Sequence, residues 1–180
     1  WMIVAAAICF YLAISLLLTW TYKPQYSANM TYAVTSQDSA LGSGGSMIMA
    51  CELSHLFSTI TNKFFAVSDS HMQISAAATM DPADVIVLFS YSGATRSGLE
   101  LLDLARTVGV PTVLITRFPK SPAAKLADIV LRCGSNEGPF QFGSVPAKVA
   151  QLVLLDVLFQ EYFHRNQDKC EESLQQIAAA

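Results

Sequence analysis

Charge is scarce in this chain. Of its 180 residues 14% are charged, 11 Lys plus Arg against 14 Asp plus Glu, and the formal net charge is -3. No summed positive field is available to attract a phosphate backbone, which argues against nucleic-acid binding by these residues alone. Cysteine is equally sparse. Cys9, Cys51, Cys133 and Cys170 form no C-x-x-C pair, and no histidine stands at metal-ligand spacing. That pattern predicts reduced, structural thiols in a cytosolic protein, with neither a metal nor a cofactor. With 9 Gly and 7 Pro among 52% hydrophobic residues, the composition is not collagen-like, low-complexity or disordered. The length suits one domain that buries its own core without staples.

What the chain does have is a long apolar opening. Residues 1–22 carry no charge, and between Met2 and Trp20 the polar positions are Ser15 and Thr19. Such a run is long enough to span a bilayer, with Trp1, Trp20 and Tyr22 as interfacial aromatics ahead of Lys23. It resembles a signal peptide less, because no basic residue precedes it and no small-x-small cleavage site follows it. The alternative is a helix apolar on all sides, buried against the domain or across a dimer interface. Burial is the favoured reading because the remaining residues read as a soluble intracellular module. The sequon Asn29-Met30-Thr31 matters only in a secreted chain.

Beyond a linker at 24–29, short β-branched or aromatic runs alternate with longer helical stretches, the pattern of βαβ units. Strands are expected at 63–67, 84–89, 112–116 and 128–133, with a weaker fifth at 31–35. Runs such as Val85-Ile86-Val87-Leu88-Phe89 are apolar at every position, as when helices cover both faces of a parallel sheet. Helices are expected at 45–59, 70–79, 95–108, 121–127 and 145–164. Asp69-Ser70 offers an N-cap, Gly109 a C-terminal stop, and Pro122 a first helical position. The fold class is α/β, a three-layer α/β/α sandwich on a five-stranded parallel sheet. Residues 1–30 form the apolar segment and linker, 31–165 the domain, and 166–180 a tail, either a peripheral helix or a frayed end.

In an open parallel sheet, ligands bind beyond the carboxyl ends of the strands. Two loops there suit an anion. Gly42-Ser43-Gly44-Gly45-Ser46 opens a helix, with glycines that let backbone approach closely and hydroxyls that donate. Ser90-Tyr91-Ser92-Gly93-Ala94-Thr95 follows a strand and precedes a helix, so its hydroxyls and the unpaired amides at the helix start favour a phosphate monoester. Neither loop contains Lys, which excludes a Walker phosphate loop. Position 47 is Met rather than Gly, which excludes a dinucleotide fingerprint.

These residues carry a resemblance. The stretch 41–163 is similar to the sugar isomerase (SIS) domain, through G-x-G-x-S at Gly42, Gly44 and Ser46 and S-x-S-G-x-T at Ser90, Ser92, Gly93 and Thr95. More narrowly, Ser68-Asp69-Ser70-His71-Met72-Gln73, Phe118-Pro119-Lys120-Ser121-Pro122-Ala123 and Ser135-Asn136-Glu137-Gly138 resemble the effector half of RpiR-type bacterial transcriptional regulators. The resemblance implies a Rossmann-like fold, a phosphorylated sugar held by the hydroxyls of Ser46, Ser90, Ser92 and Thr95, and assembly as a homodimer or tetramer. It also implies contact with DNA only through a helix-turn-helix domain, and no such domain is read here. The segment Ser36-Gln37-Asp38-Ser39 separates the weak first strand from its glycine loop, where family members usually run strand straight into loop.

The expected ligand-binding residues are therefore Gly42, Ser43, Gly44, Ser46, Ser90, Ser92, Gly93, Thr95 and Glu137. The leading expectation is a cytoplasmic sensor that binds a phosphosugar without transforming it. The alternative is an aldose-ketose isomerase, whose proton shuttle needs a carboxylate base and an acid. Glu137, at a position resembling the catalytic glutamate of SIS isomerases, and His71 would fill those roles. His55 and His164 are weaker candidates, Arg96 and Arg117 follow strands and could steer an anion, and Lys120 and Lys125 face solvent. Membrane anchoring of the same sensor depends wholly on residues 1–22.

Overall fold

A computed structural model describes residues 38–42, 45–134 and 145–179. The expected apolar N-terminal helix, the weak strand at 31–35, the sequon, Cys9, Ser43, Gly44 and Glu137 lie outside them. Five strands form one sheet: β1 (Asp38–Gly42), β2 (Phe64–Val67), β3 (Ile86–Phe89), β4 (Thr112–Thr116) and β5 (Ile129–Arg132). Every pairing is parallel and the order is β2-β1-β3-β4-β5. The helices are α1 (Gly45–Ser58), α2 (Ser70–Thr79), α3 (Arg96–Val108), α4 (Val145–Arg165) and α5 (Gln167–Ala178).

The apolar strand runs divide their side chains between two cores, as a period of two requires. Along β3, Ile86 and Leu88 join one core while Val87 and Phe89 join the other. The first core is closed by Met49, Leu53 and Phe57 of α1, Leu155 of α4 and Cys170 of α5. The second is closed by Ala77 of α2 and Leu101, Leu102 and Ala105 of α3. This is the expected three-layer sandwich, and the 166–180 tail contributes a helix with a buried residue. Asp69 caps α2, its carboxylate accepting the Met72 N–H at 2.9 Å, and Gly109 ends α3 in the left-handed region at φ 85°.

Two expectations are corrected. Asp38 and Ser39 do not separate a strand from the glycine loop. They belong to β1, which runs straight to Gly42 between β2 and β3. The helix expected at 121–127 is a single 3-10 turn, Ala123–Lys125. Its extension is stopped by Asp128, whose carboxylate accepts both the N–H and the hydroxyl of Thr112 at 2.8 Å and so pulls the chain into β5.

Among the described residues, no helix is long and apolar enough to cross a membrane. Cys51 is exposed, whereas Cys133 and Cys170 are buried, and all three are free. Burial pushes both buried thiols above their ordinary value of 9.0. Their neutral forms therefore lend stability that is complete below pH 9.0 and is lost as pH rises through the raised values. Iodoacetamide on native protein, read by mass spectrometry, should modify Cys51 while sparing Cys133 and Cys170 until denaturant is added. Leu101→Ala removes a side chain that is 1% exposed, and urea titration should show a loss of about 2–5 kcal/mol.

Candidate functional site

Strand order reverses beside β1: the chain moves to β2 on one side and then returns to β3 on the other. The connections leaving β1 and β3 therefore turn to opposite faces of the sheet and leave a crevice between them. Gly42 is the register partner of Phe89, so the two glycine-serine corners begin side by side on adjacent strands. Strand spacing puts their starting points about 5 Å apart. Ser46 sits in the first turn of α1, half-buried.

The corner after β3 is shaped by where its carbonyls go. Ser90 C=O accepts the Gly93 N–H at 3.1 Å in a tight turn. Tyr91 C=O accepts the Thr116 hydroxyl at 3.1 Å and the Arg117 N–H at 3.2 Å, and Gly93 C=O accepts the Ala123 N–H at 2.9 Å. In a trans peptide the N–H points opposite the C=O. With the carbonyls of Tyr91 and Gly93 drawn back onto β4 and the 3-10 turn, the amides of Ser92 and Ala94 face the other way. Within α3 the first amide bonded to the helix is that of Leu99, which donates to Thr95 C=O at 3.0 Å. The Arg96, Ser97 and Gly98 amides precede it and have no partner within the helix. The result is a concavity of N–H groups at a positive helix end, suited to an anion.

Gly93 is required by this arrangement. Its φ is 59°, and a Cβ there would lie 2.6 Å from Ser121 Cβ and 2.1 Å from Ser121 Oγ. The hydroxyls are arranged in depth. Ser90 is 5% exposed with its oxygen 3.5 Å from that of Thr95. Ser92 is exposed and its oxygen accepts the Ala94 N–H at 3.3 Å. Thr95 occupies the N-cap position of α3 without making a capping bond, so its hydroxyl is not committed to the helix end.

The other charged candidates are dispersed. His71 is exposed in the first turn of α2, on the rim beyond β2, while exposed His55 and His164 lie in the last turns of α1 and α4. Arg96 pairs with Glu100 one turn along α3 at 2.9 Å, on the exposed face. Arg117 lies over the Phe118 ring, 5.9 Å from its centroid, and Lys120 and Lys125 are exposed. Among the described residues, no group of three or more His, Cys, Asp and Glu side chains could hold a metal. Sequence reasoning gave no role to the buried groups behind the corner. Thr116 is fully buried and Ser121 is 6% exposed, and the one local signal for Thr116 was a polar residue ending a hydrophobic strand.

Gly93→Ala should lower the urea midpoint by forcing Ser121 aside. Adding Ser121→Gly should recover most of that loss, leaving the left-handed backbone cost of about 1–2 kcal/mol. Strict additivity of the two changes would show that the close approach is not the cause.

A sequence profile of the SIS domain matches residues 39–160. An uncharacterised HTH-type transcriptional regulator of Caldanaerobacter subterraneus subsp. tengcongensis is 36% identical over 118 residues, covering 66% of this chain and 42% of the relative. The HTH-type transcriptional regulator RpiR of Escherichia coli K12 is 28% identical over 153 residues, covering 85% of this chain and 51% of RpiR. The chain thus spans about half the length of the curated relatives it matches. Among solved structures, Vibrio vulnificus NanR complexed with ManNAc-6P superposes with a TM-score of 0.74 at 25% identity, over 82% of this chain and 56% of NanR. The sugar isomerase domain of an RpiR transcription factor from Sphaerobacter thermophilus gives 0.71 at 21%, over 80% of this chain and 79% of that one, and shows the fold alone. With the matched profile spanning the whole sheet and both glycine-serine corners, this chain belongs to the SIS domain family.

Proposed function

We propose that this chain is the phosphosugar-sensing module of an RpiR-type transcriptional regulator, binding a phosphorylated sugar and passing the bound state to a helix-turn-helix domain that contacts DNA. The observation that carries this reading is the register of Gly42 with Phe89, which starts both corners side by side at the strand-order reversal. In this reading the phosphate is held by Gly42, Ser43, Gly44, Ser46, Ser90, Ser92, Gly93 and Thr95, while Glu137 reaches the sugar hydroxyls. The similarity to HTH-type regulators, and to the NanR protein solved with ManNAc-6P, supports the same assignment. A DNA-acting sensor of this kind works in the cytoplasm.

Assembly as a homodimer or tetramer belongs to the proposal. Its support is the outer stripe of α4, where Val145, Val149, Val153 and Val157 recur every fourth residue and are all exposed. An apolar stripe of that kind on a soluble domain marks a contact surface.

A charge-assisted hydrogen bond is worth about 1.5–3 kcal/mol, so Ser92→Ala should weaken a bound sugar phosphate about ten- to a hundredfold in calorimetry. The ligand is first found by a thermal-shift screen of sugar phosphates against their unphosphorylated counterparts, since only native-state ligands raise Tm. Unchanged affinity in both Ser92→Ala and Ser90→Ala would remove this corner from the site. Solvent deuterium entering C2 of the bound sugar would instead support the isomerase, with Glu137 as base and His71 as acid.

A further inference from the structure

We propose that Gln73, which the phosphate-binding scheme above does not use, is a positioning residue that sets ligand affinity by pinning the strand end from which the glycine loop departs. The proposal rests on the phosphosugar reading. Gln73 lies in the first turn of α2 and is 6% exposed, an unusual place for a primary amide. Its Nε2 donates one hydrogen to Gly42 C=O and the other to Val67 C=O, each at 2.8 Å. Those are the terminal carbonyls of β1 and β2, where the ladder has run out of partners. One planar amide therefore spans two neighbouring strand ends and uses both of its donors.

The amide is itself held in place. The Gln73 N–H donates to Asp69 C=O at 2.9 Å, and the Asp69 carboxylate caps the same turn. From Gly42 the constraint passes directly into the site. A Cβ at Gly42 would stand 3.0 Å from the backbone carbon of Ser46 and 3.2 Å from the Met47 nitrogen, so the first turn of α1 rests on the Gly42 backbone. Orienting the Gly42 carbonyl thus fixes the end of β1 and the seat of the helix start that carries Ser46. Groups that bind an anion through backbone amides depend on such placement, because neither glycine-serine corner contains a Lys or Arg to follow the ligand.

Gln73→Met keeps the length and bulk of the side chain and removes both donors. Titration calorimetry of the full chain with N-acetylmannosamine 6-phosphate, well below the variant's Tm, should give a Kd about ten- to a hundredfold weaker at unchanged stoichiometry. A purely structural role predicts the reverse, a reduced stoichiometry at unchanged Kd, and that result overturns the proposal. Should Gln73→Met not fold, Gln73→Glu replaces it. Its carboxyl donates only when protonated, so its Kd relative to wild type at the same pH should improve as pH falls through the carboxyl range. A flat ratio near one overturns the proposal as well. Weakened binding in Ser92→Ala beside normal binding in Gln73→Met would sink the positioning role alone. Absence of wild-type binding to any sugar phosphate of the thermal-shift screen, or unchanged affinity in both Ser92→Ala and Ser90→Ala, would sink the phosphosugar reading and this proposal with it.

Discussion

The arrangement of this domain follows from one requirement: parallel strands that share an edge must send every outgoing connection across that edge. All five strands run the same way, so the segments after β1, β2, β3 and β4 leave from the same side of the sheet. Reversal of strand order between β1 and β3 then separates two of those departures and places a cleft where backbone amides are free to point outward. Neither core contains a residue of the proposed site. Their work is to keep the strand ends in register, and the alternation of Ile86, Val87, Leu88 and Phe89 between opposite cores shows how tightly that register is specified.

Behind the site runs a layer of buried polar groups whose partners are main-chain carbonyls. Thr116 holds Tyr91, Ala123 holds Gly93, and Gln73 holds Gly42 and Val67. The bonds to Tyr91 and Gly93 draw those carbonyls away from the cleft, and peptide planarity turns the Ser92 and Ala94 amides toward it. The proposed binding surface is therefore shaped from behind, by residues that need never meet a ligand. Leaving any of those carbonyls unpaired in the interior costs about 1–3 kcal/mol, which ties the stability of the fold to the shape of the cleft.

Much of this was legible in the sequence, and the exceptions have physical reasons. β3 and β4 announce themselves because strands covered on both faces read as near-continuous apolar runs. β1 does not, since Asp38-Ser39-Ala40-Leu41-Gly42 has no β-branched residue. It is a strand because it pairs on both sides, a tertiary effect that overrides local preference. The helix expected after Pro122 shrank to one turn because Asp128 answers to Thr112, 16 residues earlier in the chain. The two corners were readable from glycine and serine punctuation between strand and helix. Their supports were not, because Gln73 reaches Gly42 across 31 residues and Thr116 reaches Tyr91 across 25, separations at which local pattern carries no information.

The donors around the corner after β3 are peptide N–H groups and aliphatic hydroxyls, and neither kind changes protonation anywhere near neutrality. A phosphate monoester does change, passing from one negative charge to two at about pH 6. Acidity would thus be registered by the guest and not by the host. On the proposed phosphosugar reading, these donors keep one charge state across the physiological range, and occupancy would follow how much of the ester pool is fully ionised.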